Sequence, residues 1–482
     1  MNTRSAVFVL SATLLFLLPA VSAFGQGEEI PVTTSSDEAR KLFVEGRDKF
    51  ENVELAAAAN LLDKAIQKDP SFALAYFYRS QSGGGAEAFR KNIDMAVGLA
   101  DKVSPGERLM ILGAKANFDG NDVLFKKYAD ELLKTFPNDK RARMLMANYH
   151  AGEGDTKGAA EWYRKSIEAD PTFAPAYNFL GYSYKILGDY KNAEETFKKY
   201  TELATNSANP ADSYAELLLK MGRFDEAIQW YQKALEKDPG FTGSLGGTGF
   251  GYIHKGNFAK ARDSFEEQYK RSAQINGKLG ALANIVFSYL HQWDISGALK
   301  ATERYRTLAE KENPPSVITS YVFTGYINLE SGSTAEAQKQ LDQAKKLNET
   351  TSLTPAAKSA NEVNLGLLQC YILMRGKDLA GARKQAGECT KMVEGRKITA
   401  EHRNLNLMLG NLECELGNHD KALEHLDNSP NDNPYVMFSR AVAYERKGDG
   451  ASAKEWYKKA ANWNWTGLQY ALVRSRAMKK SM

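Results

Sequence analysis

Cysteine is scarce in this chain. There are three among 482 residues, Cys370, Cys389 and Cys414, too few and too late in the sequence for a disulfide framework. The odd count leaves at least one thiol free. Either Cys370 and Cys389 bridge two adjacent helices, or all three are small buried apolar side chains. Histidine is also sparse. His150, His254, His291, His402, His419 and His425 contain no H-E-x-x-H pair, and His419 and His425 at i, i+6 cannot share a helix face, so no metal site is expected. Charge of one sign is not in excess: Lys+Arg 63 against Asp+Glu 59 gives +4, too near neutral for nucleic acid to be the expected partner. With 43% hydrophobic and 25% charged residues, the composition excludes wholesale disorder, collagen and a polytopic membrane protein.

One long apolar run exists, at the N-terminus. Arg4 precedes an apolar stretch from Ala6 to Leu18, Pro19 ends it, and Val21-Ser22-Ala23 places small residues at cleavage positions. Residues 1–23 are therefore expected to be a secretory signal cleaved after Ala23. The alternative is an uncleaved anchor, since Ala6 to Phe24 is nearly long enough to span a bilayer. Export to a periplasm or to the exterior follows from the first reading, with no membrane span left in the mature chain. Without the signal the charge balance is 62 − 59 = +3.

Self-similarity organises the rest. Ala159, Ala193, Ala227 and Ala261 recur every 34 residues, as do Gly154, Gly188, Gly222 and Gly256, and Tyr163, Phe197, Tyr231 and Phe265. Three independent residue classes do not align over four periods by chance. In the clearest unit, Tyr177, Leu180, Gly181 and Tyr184 lie on one face of a helix, and Ala193 with Phe197 continues the rule on a second. Each unit is thus a helix pair that turns at Gly188-Asp189, Gly222-Arg223 or Gly256-Asn257, where glycine takes the positive φ that ends a helix. Asp69-Pro70, Asp170-Pro171 and Asp238-Pro239 end second helices.

The pattern Tyr177-x2-Leu180-Gly181-x2-Tyr184, Gly188, Ala193-x3-Phe197 resembles the tetratricopeptide repeat family. The resemblance covers nearly the whole chain beyond residue 36. It places the anchor of the second helix at Ala58, Ile93, Phe125, Ala159, Ala193, Ala227, Ala261, Ala298, Ala337, Ala382, Ala422 and Ala453. The expected fold is therefore an all-α superhelix, a solenoid of about twelve helix pairs. Ile93 and Phe125 depart from the small-residue rule, and Gly83-Gly84-Gly85 marks a shortened second unit. After Ala261 the spacing loosens to 37, 39, 45, 40 and 31 residues, with extended loops expected at Glu312 to Pro315, Thr350 to Pro355 and Asn428 to Pro430. Residues 24–36 read as a linker, 37–272 as a regular block, 273–465 as an irregular block and 466–482 as a C-terminal capping helix.

Catalytic signatures are missing. Gly181-Tyr182-Ser183-Tyr184-Lys185 has Lys where a nucleophile elbow needs its second glycine, and it lies within a helix. Gly243, Gly246, Gly247, Gly249 and Gly251 have the spacing of neither a dinucleotide loop nor a phosphate loop. They predict a weak, close-packed helix or a hinge. Neither an enzyme activity nor a cofactor is expected.

The resemblance implies that first helices line a concave wall that binds peptides or helices of other proteins. The residue after the small packing position of each first helix is rotated about 100° off the packing face, toward that wall. This makes Arg47, Asn148, Tyr182, Phe250, Phe287 and Tyr326 the candidate partner-binding residues, the four rings forming an aromatic ladder. The alternative is that these rings pack against neighbouring repeats. At the C-terminus, Arg474, Arg476, Lys479 and Lys480 accompany an apolar stripe of Leu468, Leu472 and Val473. That helix caps the last repeat, or contacts an anionic surface. The expected function is a non-enzymatic exported scaffold or adaptor that binds a protein or peptide, with a place in envelope assembly. Binding of a glycan or small ligand in the groove, an enzyme accessory subunit and a self-assembling structural protein are the alternatives.

Overall fold

The structure, a computed structural model, describes residues 29–396, 398–429, 433–464 and 467–482. The expected signal at 1–23 lies outside the described residues, as do the start of the 24–36 linker and Pro430. Among the described residues there are 25 α-helices and no strand, grouped in two compact units that divide between Ala176 and Tyr177.

The first unit holds four helix pairs: α1 (Asp37–Glu51) with α2 (Leu55–Lys68), α3 (Ala73–Gln81) with α4 (Gly85–Leu99), α5 (Pro105–Phe118) with α6 (Asp122–Thr135), and α7 (Lys140–Gly152) with α8 (Thr156–Ala169). The division falls inside α9 (Ala174–Leu187), which pairs with α10 (Tyr190–Leu203). The second unit continues with α11 (Asn209–Lys220) and α12 (Phe224–Lys237), α13 (Gly243–His254) and α14 (Phe258–Arg271), and α15 (Ile275–His291) and α16 (Ile295–Glu312). Then come α17 (Pro315–Glu330) and α18 (Thr334–Thr350), α19 (Pro355–Arg375) and α20 (Leu379–Arg396), α21 (Thr399–Glu415) and α22 (His419–Asp427), and α23 (Pro434–Lys447) and α24 (Gly450–Ala461). A further helix, α25 (Leu468–Ser481), follows α24.

The twelve pairs match the twelve expected anchors. Every anchor, from Ala58 to Ala453 and including Ile93 and Phe125, lies on a second helix and is at most 3% exposed. Small residues set the helix spacing within a pair. A Cβ added to Gly181 would stand 2.7 Å from the Phe197 ring, well inside carbon–carbon contact. At the turns, Gly188 and Gly222 adopt φ of 76° and 79°. Where Asp or Asn follows, it caps the second helix: Asp155, Asp189 and Asn257 accept the N–H groups of Gly158, Asn192 and Lys260. Three turns place a side-chain-bearing residue in the same left-handed region, Val53, Trp293 and Lys377.

The looser spacing beyond residue 261 has a source the sequence did not suggest. Helices α15 to α20 run to 16–21 residues, where α8, α10, α12 and α14 have 14 each. The expected loop at Glu312 to Pro315 is nearly absent, because Pro315 opens α17, where a missing N–H costs nothing. Cys370, Cys389 and Cys414 are all free and buried.

Candidate functional site

In the first unit, part of the expected linker is bound to the helix array. An extended segment from Ile30 to Thr34 crosses the N-terminal ends of first helices, where repeat-spaced carboxylates face it. The Ile30 N–H donates to Asp139 Oδ2 at 2.9 Å, and the Thr33 N–H and hydroxyl donate to the two Glu107 oxygens at 2.7 and 2.5 Å. The Thr34 hydroxyl donates to Asp69 Oδ2 at 2.5 Å. Each carboxylate also serves the array. Asp139 caps α7, Glu107 closes the capping box of α5, and Asp69 holds the turn at Ser71. Arg40 of α1 closes the strap by donating to the Val32 and Thr34 carbonyls. Two of the expected site residues lie in this unit. The Arg47 guanidinium stands 5.7 Å from the Phe43 ring centre, and Asn148 accepts the Tyr163 hydroxyl at 2.8 Å.

In the second unit, consecutive first helices touch one another (α11 with α13, α13 with α15, α17 with α19, α19 with α21, α21 with α23). First helices are thus the crowded, inner side of this array. The four expected ring positions are half-buried on these helices, and each has its own ring neighbour. Tyr182 stands edge-on to Phe197 at 5.2 Å and donates to Ser213. Phe250 meets Phe265 at 5.5 Å, Phe287 meets Phe323 at 5.7 Å, and Tyr326 meets Tyr371 at 6.2 Å. The rings are spread over four helices, each engaged in packing between or within pairs.

What occupies the inner side is α25. It packs on its neighbour α24 and also reaches α15, α17 and α23. Tyr470, Ala471, Leu472 and Val473 are all at most 2% exposed. Four consecutive helical residues point in directions 100° apart. A helix resting on a surface buries one stripe, so this one has walls on nearly every side. The Tyr470 ring lies 5.4 Å from His291 and 6.4 Å from His254, and its hydroxyl donates to the Ala461 carbonyl. Just before α25, Asn464 donates to the Lys220 carbonyl at the end of α11.

Polar groups on the inner side are held by partners from several helices. The Glu330 carboxylate, 2% exposed at the end of α17, meets Arg375 of α19 at 3.1 Å, Arg476 of α25 at 2.8 Å and the Tyr435 hydroxyl of α23 at 3.2 Å. Arg476 also lies 5.0 Å from the Phe438 ring centre. Further along, Lys480 pairs with Glu445 of α23 at 2.5 Å. His254 and His291 are buried and neutral. Burial pushes His254 down to about 3 and His291 well below its usual value, with Arg474 acting in the same direction on both. Asp212 of α11 goes the other way: burial pushes it up to about 7, although Ser244 donates to it at 2.6 Å. Sequence reasoning missed Glu330, Arg375, Tyr435 and the two histidines, since no local pattern ties α17, α19, α23 and α25 together. The run Tyr470 to Val473 was a usable signal, because four apolar residues in succession are not an amphipathic stripe.

Two open clefts lie elsewhere. One of about 500 Å³ is lined by Lys126, Asp130 and Tyr149, with Lys126 and Asp130 already paired at 2.7 Å. Another of about 330 Å³ lies by Tyr321, Lys346 and Thr350. Among the described residues no group of His, Cys, Asp and Glu is arranged to hold a metal, and no helix is long and apolar enough to cross a membrane.

Comparison with known proteins agrees with the repeat. The tetratricopeptide repeat family matches residues 126–172, 174–207, 215–241 and 434–464. Anaphase-promoting complex subunit 3 of Schizosaccharomyces pombe is 26% identical over 188 residues, 38% of this chain and 27% of that protein. The TPR repeat-containing protein MJ1428 of Methanocaldococcus jannaschii is 23% identical over 234 residues, 40% of this chain and 41% of that one. The chain thus spans between a quarter and two-fifths of the length of these relatives. Among solved structures, the MamA protein is 23% identical over 35% of this chain and 91% of its own, with a TM-score of 0.31. Twelve pairs with buried anchors, glycine turns and family matches in both halves lead to one assignment: this is a tetratricopeptide repeat protein.

Proposed function

We propose that the chain is a non-enzymatic, exported scaffold that binds a segment of another protein on the inner side of its second unit, as an adaptor in assembly at a cell envelope. The observation that carries this reading is α25, a helix enclosed on that side by α15, α17, α23 and α24. A wall of first helices that surrounds one helix has the dimensions and the chemistry to take another. Export rests on the three-part build of residues 1–23. The open cleft at Lys126, whose charge is already paired with Asp130, gives a small-ligand reading less support.

The test is site-specific photo-crosslinking in native envelope extract. Crosslinkers at Tyr182, Glu216 and Phe287 on first helices are compared with crosslinkers at Lys198 and Lys346 on second helices. Capture of one protein from the first-helix sites and not from the others is the expected result. Equal capture from both sets, or none from the first, would remove the reading.

A further inference from the structure

The wall around α25 specifies its occupant. Residues 467–482 contain no acid and carry Arg474, Arg476, Lys479 and Lys480. The wall supplies the acids: Glu330 for Arg476 and Glu445 for Lys480, one helical turn apart along α25. Ahead of these cations, Ala471 and Leu472 fill an apolar section formed with Leu279, Leu282 and Val286 of α15, and Tyr470 and Val473 are buried on either side of them. The pattern is an aromatic residue and three apolar residues, then a cation three residues on and another four after that.

Two features mark α25 as replaceable. First, the Gly467 that precedes it provides no side-chain cap, and its last turn is exposed at Met478. Second, its fit is incomplete. His254 is 9% exposed beneath Tyr470, and neither of its ring nitrogens has a hydrogen-bond partner among the described residues. Buried polar atoms are ordinarily satisfied, so α25 leaves a donor and an acceptor for which a hydroxyl or carboxamide on another helix would be a better match.

We infer that the inner wall of the second unit is a receptor for a basic amphipathic helix of another protein, that α25 holds the place of this helix, and that a partner arginine takes over Glu330 when α25 leaves. The inference rests on the protein-binding reading above and names the partner's chemistry. Because α25 is tethered to its own site, a free helix competes against a local concentration in the millimolar range. Binding is therefore weak until α25 is released.

The probe is a labelled, terminally blocked peptide with the sequence of residues 467–482, added to the full chain and followed by fluorescence anisotropy. Hydrogen exchange reports the state of α25. In the Arg476→Glu chain, where α25 faces Glu330 with a like charge, amides of residues 470–477 are expected to exchange faster while those of α15 and α17 do not. This chain should bind the probe at least about 10-fold more tightly than wild type does, because the competent fraction of receptor rises. Adding Glu330→Gln to it should lose most of that gain, and a probe with glutamate at the Arg476 position should not bind. If Arg476→Glu does not fold, Arg476→Gln, which withdraws the cation from Glu330 without adding a like charge, makes the same comparison. Unchanged exchange in α25 of a folded variant overturns the inference, as does a released α25 with no probe binding. A wild-type chain that sediments as a dimer with α25 exchanged between copies also overturns it, the occupant then being a second copy. Loss of probe binding with first-helix crosslinks intact leaves the wider reading standing; loss of both removes it.

Discussion

Replacing Gly247 with alanine should destabilise the second unit, although alanine is the better helix former. Helix α13 has glycine on two faces. Gly247 and Gly251 look toward α12, where an added Cβ would stand 2.2 Å from the Tyr231 ring and 2.7 Å from Ile228. Gly246 and Gly249 look toward α14, where it would stand 3.2 Å from Gln268 and 2.3 Å from the Phe265 ring. Carbon atoms in contact sit about 3.5 Å apart or more, so a methyl at Gly247 asks for roughly 1.3 Å of movement. Tyr231 and Phe265 are at most 2% exposed, so neither ring has solvent to move into, and a shift of α13 away from α12 closes on Phe265. Overpacking of this kind costs about 1–3 kcal/mol, against a propensity gain of about 1 kcal/mol. With both flanks closed the upper end applies, and the net is a loss of about 2 kcal/mol. At about 2–4 °C per kcal/mol the melting midpoint, followed by circular dichroism at 222 nm, should fall by roughly 4–8 °C, with faster amide exchange in α12 to α14. Gly280→Ala is the control. Gly280 is in α15 with nothing within 4 Å of an added Cβ, and there the same change should raise the midpoint by the propensity term alone. A Gly247→Ala midpoint at or above wild type would refute the close-packing account and return these glycines to a hinge.

Asp212 carries a carboxyl pushed up to about 7. Its folded value lies above its unfolded value, so its cost appears as pH rises from about 4 and is complete above about 7, up to roughly 4 kcal/mol. Asp212→Asn should therefore be more stable than wild type at pH 8, with the gap shrinking by about 3 kcal/mol at pH 5 in urea midpoints; a gap independent of pH would refute this. In that background, His254 and His291 remain, with folded values below the unfolded one, so stability should fall as pH drops below about 6.5, by about 2 kcal/mol at pH 5 from His254 and further from His291; a flat profile from pH 7 to 5 would refute their neutral burial. Lys377 has φ of 64° at a turn where other pairs use glycine, and its ion pair with Glu415 is mostly exposed. Lys377→Gly should raise the melting midpoint, gaining about 0.5 kcal/mol net, and a lower midpoint would mean that the ion pair outweighs the backbone. Thr33→Val removes a hydroxyl from the fully buried Glu107 at an expected cost of about 1.5–3 kcal/mol. Limited proteolysis of the strap checks it, and wild-type resistance would refute its anchoring role.

The helix pairs were legible because their information is local and repeated. A small residue at Ala193 and a glycine at Gly188 act on side chains within a few residues of themselves, and twelve copies average out exceptions such as Ile93 and Phe125. The lengthening of α15 to α20 was misread as loop, because proline at Pro315 is as compatible with a helix start as with a turn. The six expected site residues lie on first helices, yet helix position alone does not say whether a ring faces a groove or a neighbouring ring. That depends on partners such as Phe323 and Tyr371, each two helices away in sequence. Glu330 was not legible. It is the last residue of α17, and its partners come from positions 375, 435 and 476, on three other helices that only tertiary packing brings to it.

The near-neutral net charge is not a sign of a featureless surface. Arg476 and Lys480 on α25 are matched by Glu330 and Glu445 on the wall, so two complementary surfaces cancel in the sum. The two pairs differ in what salt does to them. Lys480 and Glu445 are about half exposed, where an ion pair contributes about 0–1 kcal/mol and is screened. Glu330 is 2% exposed, where salt screens little, and a departing Arg476 leaves its carboxylate to Arg375 and the Tyr435 hydroxyl. Salt should therefore loosen the exposed end of α25 without freeing it. A cation that replaces Arg476 at Glu330 favours release of the whole helix, and this makes the wall selective for a partner that brings its own.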